Sequence, residues 1–178
     1  CNMKNKLFLL LFLIFSFSAF AVKVNISASL ESARYGVTNN TLDLVGGSSG
    51  TYSYVKPIYT INCEVVQEFD YGEIGLGASY EQGYERQDGE TFNAIPIYGI
   101  AKFKLNPLYF NAKYGTTMYV DVNTDASYTN AQYLSMGLGM DLGSGMSVEG
   151  SVKANTVDRN GEQIGTVSYG IAVGINTY

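Results

Sequence analysis

From Val22 onward the chain repeats one pattern: a run in which apolar and polar side chains alternate, then a break. In the first run Val22, Val24, Ile26, Ala28 and Leu30 fall on one side, and Lys23, Asn25, Ser27, Ser29 and Glu31 on the other. Successive side chains of a strand point to opposite faces, so a period of two predicts a β-strand with one apolar and one polar face. Seven further runs behave alike, at 54–67, 73–82, 92–104, 108–122, 131–142, 146–157 and 164–178. The fourth is less clean. If Tyr98 and Ile100 are its apolar face, opposite Gly99 and Ala101, then Lys102 falls among them and is expected to snorkel or to mark a bulge.

The breaks alternate in length. Those at 36–53, 83–91, 123–130 and 158–163 are longer and polar, whereas 68–72, 105–107 and 143–145 are tight. Eight antiparallel strands joined this way predict an all-β, up-and-down barrel with both termini at the end of the tight turns. Pro57-Ile58-Tyr59-Thr60-Ile61 and Pro96-Ile97-Tyr98-Gly99-Ile100 occupy matching places in the second and fourth strands. Proline has no N–H for a ladder, so each is expected at a strand start or a bulge.

Alternation does not say which face meets water. A soluble exported barrel would turn Val, Ile and Leu inward, around a small apolar ligand. Here the polar face is mostly Gly, Ser, Asn and Thr with scattered charges, which suits the narrow lumen of eight strands. Charged residues make up 15% of the chain, against roughly 25% in soluble domains. Aromatics gather near strand ends: Tyr35, Tyr52, Tyr54, Tyr84, Phe92 and Tyr119 at one rim, Phe69, Tyr71, Phe103, Phe110 and Tyr178 at the other. Two such girdles are expected where rings sit at lipid–water boundaries, so the barrel is read as transmembrane.

The first residues differ from the rest. Lys4 and Lys6 precede an apolar run, Leu7 to Phe15, followed by Ser16 to Ser18 and Ala19-Phe20-Ala21. This is the layout of a cleavable signal peptide, and the run is shorter than the ~20 residues of a membrane anchor. The expected organisation is a start-site artefact at 1–2, a signal peptide at 3–21 and a transmembrane barrel at 22–178. Cys1 precedes the apolar run and is no lipid anchor. Without Lys4 and Lys6, nine basic residues face 16 acidic ones, a net charge of −7 that argues against nucleic acid as a partner. Only Cys63 then remains, so no intramolecular disulfide forms, and it reads as a small apolar strand residue.

Together these runs, and a last strand Gly170 to Tyr178 ending on an aromatic, resemble the small outer-membrane barrels of the OmpA- and OmpX-like family. The resemblance covers 22–178 and lies in pattern rather than in a motif. It implies residence in a bacterial outer membrane, lipid as a neighbour, and a terminal strand read by the barrel-assembly machinery. Tyr178 departs in being in phase with Gly174 and Ala172. Either a last bulge rotates it outward or the assembly signal is imperfect.

Candidate chemistry is sparse. The chain has no His, which removes the usual general base and the commonest metal ligand. Asp121-Val122-Asn123-Thr124-Asp125 begins like a calcium loop, but Ala126 stands where Gly is needed. No enzyme, cofactor or metal is therefore expected. The remaining candidates are polar-face charges: Glu31, Lys56, Glu81 and Lys153 in the upper lumen, Lys113 near mid-depth, and Glu64, Glu73, Asp141 and Glu149 lower. A paired plug is favoured over an ion gate, since eight strands leave room only for side chains. The function expected is a structural or surface-interaction one, with 36–53 a candidate for host or matrix contact; a narrow pore for solutes or ions is the alternative.

Overall fold

The structure is a computed structural model that describes residues 22–37, 53–54, 57–85, 91–121, 128–159 and 162–177. The expected signal peptide, Lys56, Tyr178 and most of 36–53 lie outside the described residues. All described elements are strands: β1 (Val22–Val37), β2 (Ser53–Tyr54), β3 (Ile58–Phe69), β4 (Gly72–Glu85), β5 (Thr91–Leu105), β6 (Leu108–Asp121), β7 (Tyr128–Gly143), β8 (Met146–Arg159) and β9 (Glu162–Thr177). The eight long strands pair antiparallel in chain order, and β9 returns to β1, from Val24 opposite Thr177 to Val37 opposite Ile164. The sheet closes into an eight-stranded barrel. The two-residue β2 pairs with Arg34 and Tyr35 on the edge of β1 that β3 occupies lower down, so it continues β3 beyond Pro57.

Proline behaves as its missing N–H requires. Pro57 directly precedes β3, and Pro96 falls where the β4–β5 ladder is interrupted between Ala78–Ile97 and Glu81–Ala94. The three tight connections are two-residue turns, Asp70-Tyr71, Asn106-Pro107 and Ser144-Gly145. In the last, φ is 53° at Ser144 and 77° at Gly145. Positive φ at both central residues matches the right-handed twist of the flanking strands. The seventh break is shorter than the sequence pattern suggested. Arg159 pairs with Glu162, leaving only 160–161 between β8 and β9. The polar residues 158–163 read as a loop in sequence, but Asp158, Arg159, Glu162 and Gln163 carry the hairpin on.

The barrel is apolar outside and polar inside. Leu76 is 71% and Ile171 67% exposed on the outer wall, while Glu81 is 0% and Glu31 2% exposed in the lumen. Cys63 lies outward between Ile61 and Val65. Phe69, Tyr71, Phe103 and Phe110 ring the tight-turn end, and Tyr59, Tyr80 and Tyr169 point outward higher up. From Tyr59 to Phe69 is ten residues along β3. At ~3.3 Å per residue and a tilt of ~40°, that is roughly 25 Å of height, the height of a lipid-facing band. Side chains of the other expected rim aromatics, Tyr35, Tyr52, Tyr54, Tyr84, Phe92, Tyr119 and Tyr178, lie outside the described set.

Strand β5 corrects the expectation for Lys102. Its outward residues are Ile97, Gly99, Ala101 and Phe103, and its lumenal ones are Tyr98, Ile100 and Lys102. No bulge or snorkelling is involved: the phase is inverted. Room for a large lumenal ring comes from the opposing strand, where Tyr98 pairs with Gly77. A Cβ built on Gly77 would lie 2.5 Å from the Tyr98 ring, so the ring occupies space that any other residue would fill. Tyr109 lies over Gly139 in the same way.

Candidate functional site in the barrel lumen

Because the lumen is narrow, its charged side chains meet across strands that are not neighbours. The upper cluster centres on Glu31. Its carboxylate accepts hydrogen bonds from Ser29 (2.7 Å), Thr60 (2.8 Å) and Ser168 (2.8 Å), and it forms an ion pair with Lys153. These partners come from β1, β3, β9 and β8, so one carboxylate ties four strands. Lys153 lies 3.5 Å from Glu81 as well, and Asn155 donates to Glu81 at 3.2 Å.

At mid-depth Lys113 pairs with Glu64 at 2.7 Å. The Tyr98 hydroxyl donates to Glu64 at 3.2 Å and accepts from Ser79. The Tyr98 ring stacks on Tyr133, with centroids 5.1 Å apart and planes 21° apart. Val66, Ile100 and these two rings form an apolar layer inside the otherwise polar lumen. Glu149 accepts from Asn111 (2.6 Å) and Tyr109 (3.2 Å).

The lower cluster centres on Glu73. Lys23 (3.0 Å), Lys102 (3.2 Å) and Lys104 (2.8 Å) all reach its carboxylate, and Lys104 also pairs with Glu68. Lys102 lies over the Tyr109 ring, 4.5 Å from its centroid. Taking a charge from water into such a site is costly, and the cost is offset only where partners and hydrogen bonds are good. Glu31 and Glu73, each with at least three donors, meet that condition.

Of the charges read from sequence, Glu31, Glu64, Glu73, Glu81, Lys113 and Lys153 are buried in these ion pairs. Glu149 is half-buried and held by hydrogen bonds. Asp141 is half-buried near the end of β7 and takes part in none of the ion pairs above. The sequence reading passed over Lys23, Lys102 and Lys104 as members of the cluster, and over the Tyr98–Tyr133 stack. Lys23 and Lys104 were signalled by their phase with Asn25 and Lys102; the tyrosines carried no such mark.

Chemically the arrangement holds charges rather than exposing them. A cavity of about 20 Å³ beside Asn25, Glu64, Lys113 and Glu149 has room for about one water. Among the described residues no group of three or more His, Cys, Asp or Glu is placed to hold a metal ion.

No protein-family model and no curated relative matches the sequence. Among solved structures the chain is similar to Neisserial surface protein A, with a TM-score of 0.51 and 13% identity over 84% of this chain and 96% of that one. It is also similar to Ail, the attachment invasion locus protein of Yersinia pestis, with a TM-score of 0.50 and 12% identity over 86% and 98% of the two chains. At such identities the likeness is one of fold.

Proposed function

We propose that this chain is a bacterial outer-membrane barrel whose interior is a fixed polar plug and whose work is done by contacts at the end of its longer connections. The observation that carries this reading is the filled lumen: the Glu31 and Glu73 clusters, with the Tyr98–Tyr133 layer between their depths. An interior tied across strands makes a rigid support for surface loops, which are natural sites of recognition. Segment 36–53 is the longest candidate for host or matrix contact. Ail carries attachment and invasion in its name, in keeping with such a role.

Export through a signal peptide at 3–21 and insertion guided by the strand ending at Tyr178 belong to the same reading. So does the absence of catalysis, which rests on the lack of His anywhere in the chain. A narrow pore is the competing reading. It requires the lumenal ion pairs of Lys153, Lys113 and Glu73 to part.

Two measurements test the proposal. Folded protein in a planar bilayer should give a silent baseline, and a version lacking 38–52 should lose binding to host-cell matrix. Stable conductance steps would favour the pore. Matrix binding unchanged by the deletion would remove that segment from the function.

A further inference from the structure

Among the described residues, four buried side-chain atoms have no hydrogen-bond partner: Asn25 Oδ1, Asn111 Oδ1, Tyr133 OH and Ser135 Oγ. Asn25 is the one of these residues that lines the lumenal cavity of about 20 Å³. It is buried, and its Nδ2 donates to Glu73 Oε2 at 3.4 Å. That bond fixes the amide. Turned over, it would set Oδ1 against a carboxylate, acceptor against acceptor. The carbonyl oxygen is therefore held away from Glu73 without a protein donor, an arrangement that costs free energy unless a donor is supplied.

The carboxylates beside the cavity show the same excess of acceptors. Glu64 and Glu149 both line it. Lys113 and Tyr98 reach the same oxygen of Glu64, Oε1, and Asn111 and Tyr109 reach the same oxygen of Glu149, Oε2. A carboxylate has two acceptor oxygens, so each keeps one for a further bond. Three residues with acceptor capacity thus border one small space. Lys102 and Lys113 border it as well, and two ammonium groups disfavour a cation there. A water fits both demands: it brings two donors and accepts from an ammonium. Buried waters make about three hydrogen bonds and need roughly 10–15 Å³ of such space.

We propose that one internal water is bound in this cavity and joins the lower ion-pair cluster to the middle one. It donates to Asn25 Oδ1 and to the Glu64 or Glu149 carboxylate, and it accepts from the Lys113 ammonium. Asn25 is the positioning residue. Its Nδ2 is tied to Glu73, where Lys23, Lys102 and Lys104 also meet, and its Oδ1 holds the water. A bridge of this kind is enthalpically nearly as good as a direct hydrogen bond. Through it the Glu73 cluster and the Glu64–Lys113 pair become one network along the lumen. The inference deepens the reading of the interior as a fixed plug and rests on it.

The test is a crystal structure of the full chain at a resolution that shows ordered waters, read together with water–amide cross-peaks in isotope-labelled protein in micelles. One water should stand within hydrogen-bond distance of Asn25 Oδ1 and of one of the two carboxylates. The cross-peak is read at the buried side-chain amide of Asn62, which donates to Ser27 on the cavity wall. It should carry the sign of a long-lived water and fall several-fold in Asn25→Leu, with folding checked by the heat-dependent gel shift. Absence of the water from the wild-type crystal, or a cross-peak equal in wild type and Asn25→Leu, overturns the inference. Density ringed by several oxygens at about 2.4 Å would make the occupant a cation and overturn it too. The wild-type crystal decides alone if the variant fails to fold. Planar-bilayer recording reads the plug separately: no water with a silent bilayer overturns the water alone, whereas conductance steps overturn the plug beneath it.

Discussion

Lys153 on β8 crosses the lumen to Glu31 on β1, two strands away around the wall, and lies 3.5 Å from Glu81 on β4. One ammonium thus serves two carboxylates that are both fully or almost fully buried. Replacing Lys153 by Met leaves Glu31 and Glu81 without it in a site closed to water. The expected loss of stability is about 3–5 kcal/mol, the range for breaking a buried pair from one side. Urea unfolding in lipid vesicles measures it. Adding Glu31→Gln to Lys153→Met should recover part of the loss, and an additive double variant would mean that the two residues do not act as a pair.

Tyr98 separates packing from hydrogen bonding. Tyr98→Phe keeps the stack on Tyr133 and removes the bonds to Glu64 and Ser79, so a loss of about 0.5–1.5 kcal/mol is expected. Tyr98→Ala removes the ring from a buried layer and should cost about 3–5 kcal/mol. Equal losses for the two variants in the same unfolding assay would show that the stack contributes nothing.

How much of this was legible in sequence differs from strand to strand. In β1 the two faces differ sharply in polarity, so alternation puts Lys23 and Glu31 on one face and Leu30 on the other. The small residues of the polar face, with the two aromatic girdles, then turn that face inward. In β5 both faces carry large apolar groups, because Tyr98 and Ile100 fill the lumen while Ile97 and Phe103 face out. Period two then identifies a strand without fixing its phase. Lys102 was the marker of the lumenal face, and Gly77 across the ladder was the space that makes it possible. The seventh connection was misjudged for a local reason. Asp158 and Arg159 pair with Gln163 and Glu162, so a ladder runs through residues whose polarity alone reads as a break. The register shift of β7 between Thr129 and Gln132 was illegible, since alternation is already weak at Thr129-Asn130-Ala131.

Gly139 offers a steric test of the lumen. A Cβ there would run into the Tyr109 ring, and the ring is itself held by Glu149. Gly139→Val should therefore destabilise by about 1–3 kcal/mol through overpacking. Tyr109→Leu in the same chain should relieve most of that. No relief would place the clash elsewhere.

The outer wall makes a depth-dependent expectation. Leu76 lies far from both aromatic rings, whereas Phe69 belongs to the lower one. Leu76→Arg should cost about 2–4 kcal/mol in a bilayer and Phe69→Arg about 0–1, as expected for mid-plane and interfacial positions. Unfolding of each variant from vesicles provides the comparison. Equal costs would contradict a lipid band centred between Tyr59 and Phe69.

Everything above depends on an inside-out barrel closed by β1 and β9 and held in lipid. Gel mobility of membrane-extracted protein, with and without boiling in detergent, tests that most directly. A closed barrel resists detergent and shifts on heating, so two distinct bands are the expected result. A single position, unchanged by boiling, would contradict it.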